Sequence, residues 1–166
     1  MPRALSASPP ARRGLSCGIV VVAPGPELLL CHVTGQRHWD LPKGGIHADE
    51  SPLDAARRET AEECGLVFDA GVLVDLGRFV YTARKDLHLF AAASARAPVE
   101  SLVCASTFVE RGSGRRRPEM DGFGWFAPSQ AGSHCTATMA ALLGGLDWSA
   151  IGAALAVRGT VEPLAA

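Results

Sequence analysis

The sequence predicts an α/β fold in which helices pack on a mixed β-sheet. Most apolar segments are short and rich in β-branched residues, and one strongly signalled helix lies among them at residues 52–64. Strands and helices do not alternate regularly along the chain, which favours a mixed sheet over a doubly wound parallel one. The 166 residues are enough for one domain with its own hydrophobic core.

The strands and helices are predicted in chain order from apolar runs and the turn residues between them. A hairpin forms around APGPE at residues 23–27, and RGSGRRRPE is predicted to be a loop that leads into DGFGWFAP. Two Ala/Leu-rich stretches between residues 137 and 157 are predicted to be helical. The remaining predicted elements are strands in residues 17–22, 28–33, 71–82, 86–94 and 101–110, with a turn at 84–86.

Composition and charge narrow the possible functions. Sixteen basic and seventeen acidic residues give a net charge of −1, so we expect no stable binding to nucleic acid or to a membrane. No apolar run approaches the roughly 18–20 residues that span a bilayer. The five cysteines are odd in number and include no C-x-x-C pair, which is typical of reduced thiols in a cytoplasmic protein.

The N-terminal residues 1–13 differ in composition from the rest of the chain. They contain no continuous apolar segment, so they do not resemble a secretory signal. We expect a disordered tail, with an organelle-targeting role as the alternative, and a single domain over residues 14–166.

The helix at residues 52–64 carries the clearest local signals. Ser51 is a good N-cap, Pro52 fits the first helical position, and Asp54 completes an S-x-x-D capping box. Gly65 is a natural stop because glycine takes the left-handed conformation without strain.

Three acidic residues crowd together on this helix. At about 3.6 residues per turn, Glu59, Glu62 and Glu63 fall within roughly 100° of one another. Each like-charge pair costs about 0.2–0.5 kcal/mol, and the acids lie toward the end whose dipole disfavours negative charge. One interpretation is a solvated acidic face, which the E-x-x-E-E pattern alone favours. The other is a cluster of hard oxygen ligands for Mg²⁺ or Mn²⁺.

The residues around the helix favour the second interpretation, because residues 44–66 resemble the Nudix box. The family pattern is G-x5-E-x7-R-E-U-x-E-E-x-G-U, where U is a bulky aliphatic residue, and Thr60 is the one departure. The resemblance to Nudix hydrolases implies an α/β/α sandwich with a mixed sheet and a loop–helix–loop box. It also implies hydrolysis of a phosphoanhydride bond in a nucleoside-diphosphate-linked substrate, with Mg²⁺ as the cofactor and Mn²⁺ as an alternative.

The same resemblance implies roles for individual residues inside the box. Glu59, Glu62 and Glu63 would bind the metal together with the backbone carbonyl of Gly44. Arg58 would orient the glutamates. Glu50 would hold the loop. Either Glu59 or Glu62 is a candidate general base, and the family resemblance does not decide between them.

The resemblance to Nudix hydrolases also implies a further catalytic carboxylate outside the box, before an aromatic-containing strand. Glu119 in RRRPEMDGFGWF is the candidate and Asp121 is the competitor. An ion pair of Glu119 with the arginines at residues 115–117 in a solvated loop is the alternative interpretation. Whether those arginines contact substrate is left open.

Substrate preference must come from residues outside the box. HWDLPKGG, residues 38–45, resembles the W-x-[LF]-P-K-G segment of diadenosine polyphosphate and diphosphoinositol polyphosphate hydrolases. Lys43 and Lys85, the only lysines, fall where those enzymes place phosphate-contacting lysines. Tyr81 is a candidate for stacking on a base and Trp39 for covering one, with simple packing as the alternative for each.

The expected partner is therefore a small nucleotide or polyphosphate substrate, best matched by a dinucleoside polyphosphate such as diadenosine tetraphosphate. The alternative is MutT-like hydrolysis of nucleoside triphosphates such as 8-oxo-dGTP. A non-catalytic nucleotide-sensing domain is disfavoured because all the box glutamates are present. The oligomeric state and the phosphorus that is attacked are left open.

Overall fold

A computed structural model describes residues 13–162 and the backbone of Leu164–Ala165. The predicted N-terminal tail lies outside the described residues except for Arg13, whose Nε donates to Oδ1 of Asp86 at 2.6 Å. Within the described residues, three short 3₁₀ helices occur at Ala70–Val72, Val99–Ser101 and Pro128–Gln130. The other elements, in chain order, are β1 (Gly14–Ala23), β2 (Glu27–Val33), β3 (Trp39–Asp40), β4 (Lys43–Gly45), α1 (Pro52–Cys64), β5 (Leu66–Val67), β6 (Val74–Val80), β7 (Lys85–Ala93), β8 (Thr107–Val109), β9 (Arg116–Pro118), β10 (Met120–Phe126), α2 (Ala131–His134), α3 (Ala137–Gly144), α4 (Trp148–Arg158) and β11 (Leu164–Ala165).

The central sheet is mixed, as predicted. Its strand order is β10-β2-β1-β7-β6, with β3 added to β2 and β4 added to β1. Strands β1 and β7 run parallel, and the other pairs in this sheet are antiparallel. The predicted hairpin around APGPE is confirmed, since Val22 of β1 pairs with Leu28 of β2.

Helices cover both faces of the sheet, which gives the predicted α/β/α sandwich. One core cluster lies between the sheet and α1 and includes Ile19 and Ala56. The other includes Leu87 of β7 together with Met139 of α3 and Leu155 of α4. Within residues 13–162 no single helix is long and apolar enough to cross a bilayer; α3 and α4 pass that test only as a pair bent by 72°.

Helix α1 begins and ends where its caps predict. Oγ of Ser51 accepts a hydrogen bond from the backbone N–H of Asp54 at 3.1 Å, and Gly65 has φ of 76°, the left-handed conformation. Thr60, the departure from the Nudix pattern, is fully buried. Its hydroxyl donates to the carbonyl of Ala56 at 2.8 Å, so the polar atom is satisfied within the helix.

Three predictions of secondary structure were wrong in part. Of the strand predicted at residues 101–110, only β8 forms, because the N–H groups of Val103 and Ala105 bond instead to Cys64 and Glu62 carbonyls at the end of α1. The predicted loop RGSGRRRPE contains β9, which pairs with β8 as a hairpin. The turn between β6 and β7 ends at Arg84, and Lys85 already belongs to β7.

Candidate active site

The Nudix-like loop and helix meet at a close contact between Gly44 and Glu59. Gly44 lies in β4, where it pairs with Cys17 of β1, and the carboxylate of Glu59 lies against its Cα. A Cβ at Gly44 would overlap Oε2 of Glu59. A glycine is therefore required at this position for the carboxylate to approach the backbone of β4.

Two of the three clustered glutamates are buried against the sheet. Glu59 is 8% exposed and Glu63 is 4% exposed, whereas the side chain of Glu62 is 44% exposed. Oε2 of Glu63 accepts a hydrogen bond from the backbone N–H of Lys43 at 2.8 Å. The interpretation of the cluster as a fully solvated acidic face is therefore wrong for Glu59 and Glu63.

Arg58 connects the helix to the loop before it. Its Nε and Nη2 donate to the two carboxylate oxygens of Glu50 at 2.6 and 2.9 Å. Its Nη1 donates to Glu59 at 2.7 Å and contacts Glu62 at 3.3 Å. The hydrogen bonds from Arg58 hold the pKa of Glu50 at about 2, so Glu50 stays ionised and fixes the loop.

The ionised forms of the buried glutamates are destabilised by burial and by the neighbouring acidic side chains. Burial, together with the charges of Glu59 and Glu119, raises the pKa of Glu63 to about 8 despite the hydrogen bond from Lys43. Burial also raises the pKa of Glu59, with a contribution from Glu62. Desolvated carboxylates this close together favour either a bound proton or a bound cation.

The chemistry of these side chains fits a hard divalent cation, for which carboxylate and carbonyl oxygens are the preferred ligands. Among residues 13–162, however, no three His, Cys, Asp or Glu side chains form a complete ligand cluster. The carboxylate of Glu59 is bonded to Arg58, and that of Glu63 to Lys43. A cation would therefore bind by replacing some of these hydrogen bonds.

A cleft of about 400 Å³ lies beside Glu63, and Glu59 is not among the residues that line it. Glu63, Lys43 and Glu119 all line it. Glu119 is held by its backbone, which bonds to Ser106 and Thr34. Asp121 instead contacts Nδ1 of His32 at 2.5 Å. The structure thus places Glu119, and not its competitor Asp121, among the residues that line the cleft.

The other predicted substrate residues lie outside the lining of this cleft. The ring of Tyr81 is 6.0 Å from Nζ of Lys43, and that Nζ is paired with Asp40 at 2.7 Å. Trp39 packs edge-on against Phe126 with ring centroids 5.1 Å apart, which fits its alternative role in packing. Lys85 is exposed at the start of β7.

Some residues that line the cleft were not predicted from the sequence. Thr34 and Gln36 follow β2, and Phe108 lies on β8 within the segment predicted as one long strand. Only Phe108 carried a local signal, as an aromatic residue near the basic loop. Its position in the cleft depends on the β8–β9 hairpin, which the sequence did not predict.

Comparisons with known proteins identify sequence relatives of this chain. The NUDIX domain family matches residues 12–142. An uncharacterized 17.7 kDa protein of Enterobacteria phage T4 is 41% identical over 123 residues, a match that covers 66% of this chain and 79% of that protein. The RNA pyrophosphohydrolase of Thioalkalivibrio sulfidiphilus is 49% identical over 49 residues, which cover 30% of this chain and only 28% of that enzyme.

Solved structures share the fold at low sequence identity. An Ap4A hydrolase of C. elegans, solved as a binary complex, has a TM-score of 0.58 at 21% identity, covering 83% of this chain and 98% of that chain. The NUDIX domain of Shewanella oneidensis NrtR, solved with ADP ribose, has a TM-score of 0.57 at 16% identity, covering 84% and 90%. These identities support the fold alone. The family match, which includes the whole box, confirms the predicted family: the chain belongs to the Nudix family.

Proposed function

We propose that this protein uses Mg²⁺ to hydrolyse a phosphoanhydride bond in a nucleoside-diphosphate-linked substrate, and that dinucleoside polyphosphates are its preferred class. The observation that carries the proposal is the pair of buried carboxylates, Glu59 and Glu63, of which Glu63 lines a cleft that also contains Lys43. Burying like charges is costly unless a cation compensates them. A cation and a lysine together suit a highly anionic polyphosphate.

The metal would be held by the carboxylates of α1. Nudix hydrolases generally use divalent metal ions, and Glu59, Glu62 and Glu63 with the carbonyl of Gly44 offer the oxygen ligands that Mg²⁺ prefers, with Mn²⁺ as an alternative. When bound, such a cation neutralises charge on phosphate oxygens and makes a water molecule easier to deprotonate.

The protein's own residues would orient the reacting groups. Arg58 holds Glu59 and Glu50 through three short hydrogen bonds, which position both carboxylates before substrate enters. Glu119 lines the cleft and takes part in no ion pair within the described residues, which leaves its carboxylate available to accept a proton from water. Glu59 and Glu62 remain the alternative bases.

The preference for dinucleoside polyphosphates rests on Lys43. Its side chain is largely buried at the cleft, and Asp40 holds its Nζ at 2.7 Å. A polyphosphate that displaces Asp40 would gain a charge-assisted hydrogen bond from Lys43. MutT-like enzymes usually carry glycine at this position, and the lysine here therefore disfavours nucleoside triphosphate hydrolysis, which is the alternative.

Removal of pyrophosphate from RNA 5′ ends is a second candidate function. It is favoured by the 49% identity with an RNA pyrophosphohydrolase, although that match is confined to 49 residues. The basic β8–β9 hairpin, which carries Arg116 and the cleft residue Phe108, would suit a longer anionic substrate.

A substrate panel with Mg²⁺ in ¹⁸O-labelled water tests these alternatives. The panel contains diadenosine tetraphosphate, a 5′-triphosphate RNA, dGTP, 8-oxo-dGTP and ADP-ribose, with kcat/KM measured for each. We expect diadenosine tetraphosphate to give the highest kcat/KM, and the label to identify the attacked phosphorus. A higher value for the RNA or for a nucleoside triphosphate would replace the preferred class, and binding without any turnover would indicate a nucleotide-sensing domain.

A further inference from the structure

The cleft contains residues to which the proposed hydrolysis gives no role. Besides Glu63 and Glu119, it is lined by Thr34 and Gln36, which follow β2, and by Phe108 of the β8–β9 hairpin. Two distant parts of the chain therefore meet at the side of the carboxylates. The side chains of Thr34, Gln36 and Phe108 are uncharged, in contrast to the carboxylates of the acidic cluster.

Phe108 is an aromatic residue that packs in neither of the two hydrophobic cores found in the described residues. It is only half-buried, and within residues 13–162 it belongs to neither hydrophobic core cluster and contacts no other aromatic ring. The other rings of the sheet, such as Trp39 and Phe126, pack on each other or on the cores. An aromatic ring left beside a cleft is suited to stack on a flat ligand.

The Thr34 hydroxyl provides a second, independent indication of a ligand, because it lacks a hydrogen-bond partner within the described residues. It is 5% exposed, and its Oγ1 finds no hydrogen-bond partner in the described part of the chain. Buried hydroxyl groups without partners are costly and uncommon in folded proteins. A hydroxyl both donates and accepts, so it can pair with either kind of edge atom of a nucleobase.

We propose that Thr34 and Phe108 form a nucleobase subsite, in which the Phe108 ring stacks on the base and the Thr34 hydroxyl bonds to its edge. The inference rests on the proposed function for the identity of the ligand as a nucleotide. The cleft volume of about 400 Å³ lies within the range of about 300–1,000 Å³ typical of small-molecule sites. The base and the phosphates of one nucleotide would then share one cleft, with the phosphates toward Glu63 and Lys43.

Equilibrium binding tests this subsite without requiring turnover. Isothermal titration calorimetry with Mg²⁺ compares the four nucleoside 5′-monophosphates with ribose 5-phosphate, which lacks a base. We expect at least one nucleotide to bind about tenfold or more tightly than ribose 5-phosphate, as stacking on an aromatic ring predicts. Equal affinities for all five compounds would overturn the proposal.

Variants assign the binding to the two residues. Phe108→Leu should weaken nucleotide binding by about tenfold, while Phe108→Tyr should retain it. Thr34→Val should weaken it by about threefold or more but leave the melting temperature unchanged or raised, because the lost hydroxyl has no partner in the protein. Val109→Ala, a change at an exposed neighbour on the same strand, is the matched control and should bind like wild type. None of these substitutions should change the affinity for ribose 5-phosphate.

Two results would contradict the assignment. Phe108→Leu or Thr34→Val with wild-type nucleotide affinity would show that the residue does not contact the base. A lowered melting temperature for Thr34→Val with unchanged binding would show that the hydroxyl serves the fold, through a bridging water. The proposed function fails separately: a wild-type protein that binds nucleotides in this way but turns over no substrate retains the subsite and loses the hydrolysis.

Discussion

The backbone N–H of Lys43 donates a hydrogen bond to Oε2 of the buried Glu63 at 2.8 Å. The side chain of the same lysine pairs with Asp40 at 2.7 Å. The LPKG segment therefore touches the acidic cluster through its backbone and the cleft through its side chain. Substitution of the lysine can test its charge while the backbone contact to Glu63 is kept.

Lys43→Gln should reduce kcat/KM for diadenosine tetraphosphate far more than for dGTP. The substitution removes the ammonium group and keeps the backbone N–H, so the Glu63 contact persists. Loss of a charge-assisted hydrogen bond predicts a decrease of about 10–100-fold for the longer polyphosphate. Steady-state kinetics on both substrates measures the difference. Lys85→Gln, the same change at an exposed lysine outside the cleft, should have a smaller effect, and equal losses for both substrates in Lys43→Gln would refute the role of Lys43 in selectivity.

Gly44→Ala should raise the Mg²⁺ concentration needed for half-maximal activity. A Cβ there would overlap the Glu59 carboxylate, and overpacking of this kind costs about 1–3 kcal/mol. If half of that free energy is lost from metal binding, the required Mg²⁺ concentration rises by about 2–10-fold. Gly45→Ala is the matched control, since a Cβ at Gly45 meets nothing within 4 Å. Similar Mg²⁺ curves for the two variants would show that the Gly44–Glu59 contact is not needed.

The metal-free protein should lose stability as the pH rises from about 5 to 8. Glu63 has a pKa of about 8 in the folded protein against an ordinary value of 4.5, so in this window the folded state holds a proton that the unfolded state releases. The stabilisation is complete below pH 4.5 and is lost as the pH approaches 8, at a slope of at most about 1.4 kcal/mol per pH unit for one proton.

Thermal unfolding in EDTA across this pH range measures the slope. Glu63→Gln, which keeps an acceptor for the Lys43 N–H, should show a weaker decline than wild type. The difference between the two proteins isolates Glu63 from other titrating groups. Parallel curves for wild type and Glu63→Gln would mean that Glu63 is not protonated in the metal-free fold.

Local signals allowed α1 and the acidic cluster to be predicted from the sequence. Ser51 and Gly65 act on the helix ends directly, and the spacing of the glutamates is fixed by the helical repeat. Burial is not a local property, so the spacing alone could not show that Glu59 and Glu63 face the sheet while Glu62 faces solvent.

Long-range contacts account for what the sequence did not predict. The segment after Leu102 does not form the predicted strand because its N–H groups donate hydrogen bonds to carbonyls at the end of α1, about forty residues earlier in the chain. Thr34 and Phe108 meet in the cleft only because β2 and the β8–β9 hairpin are brought together by the fold. Neither residue has a neighbour in sequence that would indicate its partner.

The Mg²⁺ dependence of Glu63→Gln tests the central claim, that the buried carboxylates of α1 hold the catalytic metal, most directly. Turnover of diadenosine tetraphosphate is measured over a Mg²⁺ titration for wild type, for Glu63→Gln and for Glu100→Gln, a charge-matched control at an exposed site. Circular dichroism establishes that each variant is folded. We predict that Glu63→Gln loses activity by about a thousandfold or more at every Mg²⁺ concentration, while Glu100→Gln behaves as wild type. Near-normal activity of Glu63→Gln at saturating Mg²⁺ would contradict the account.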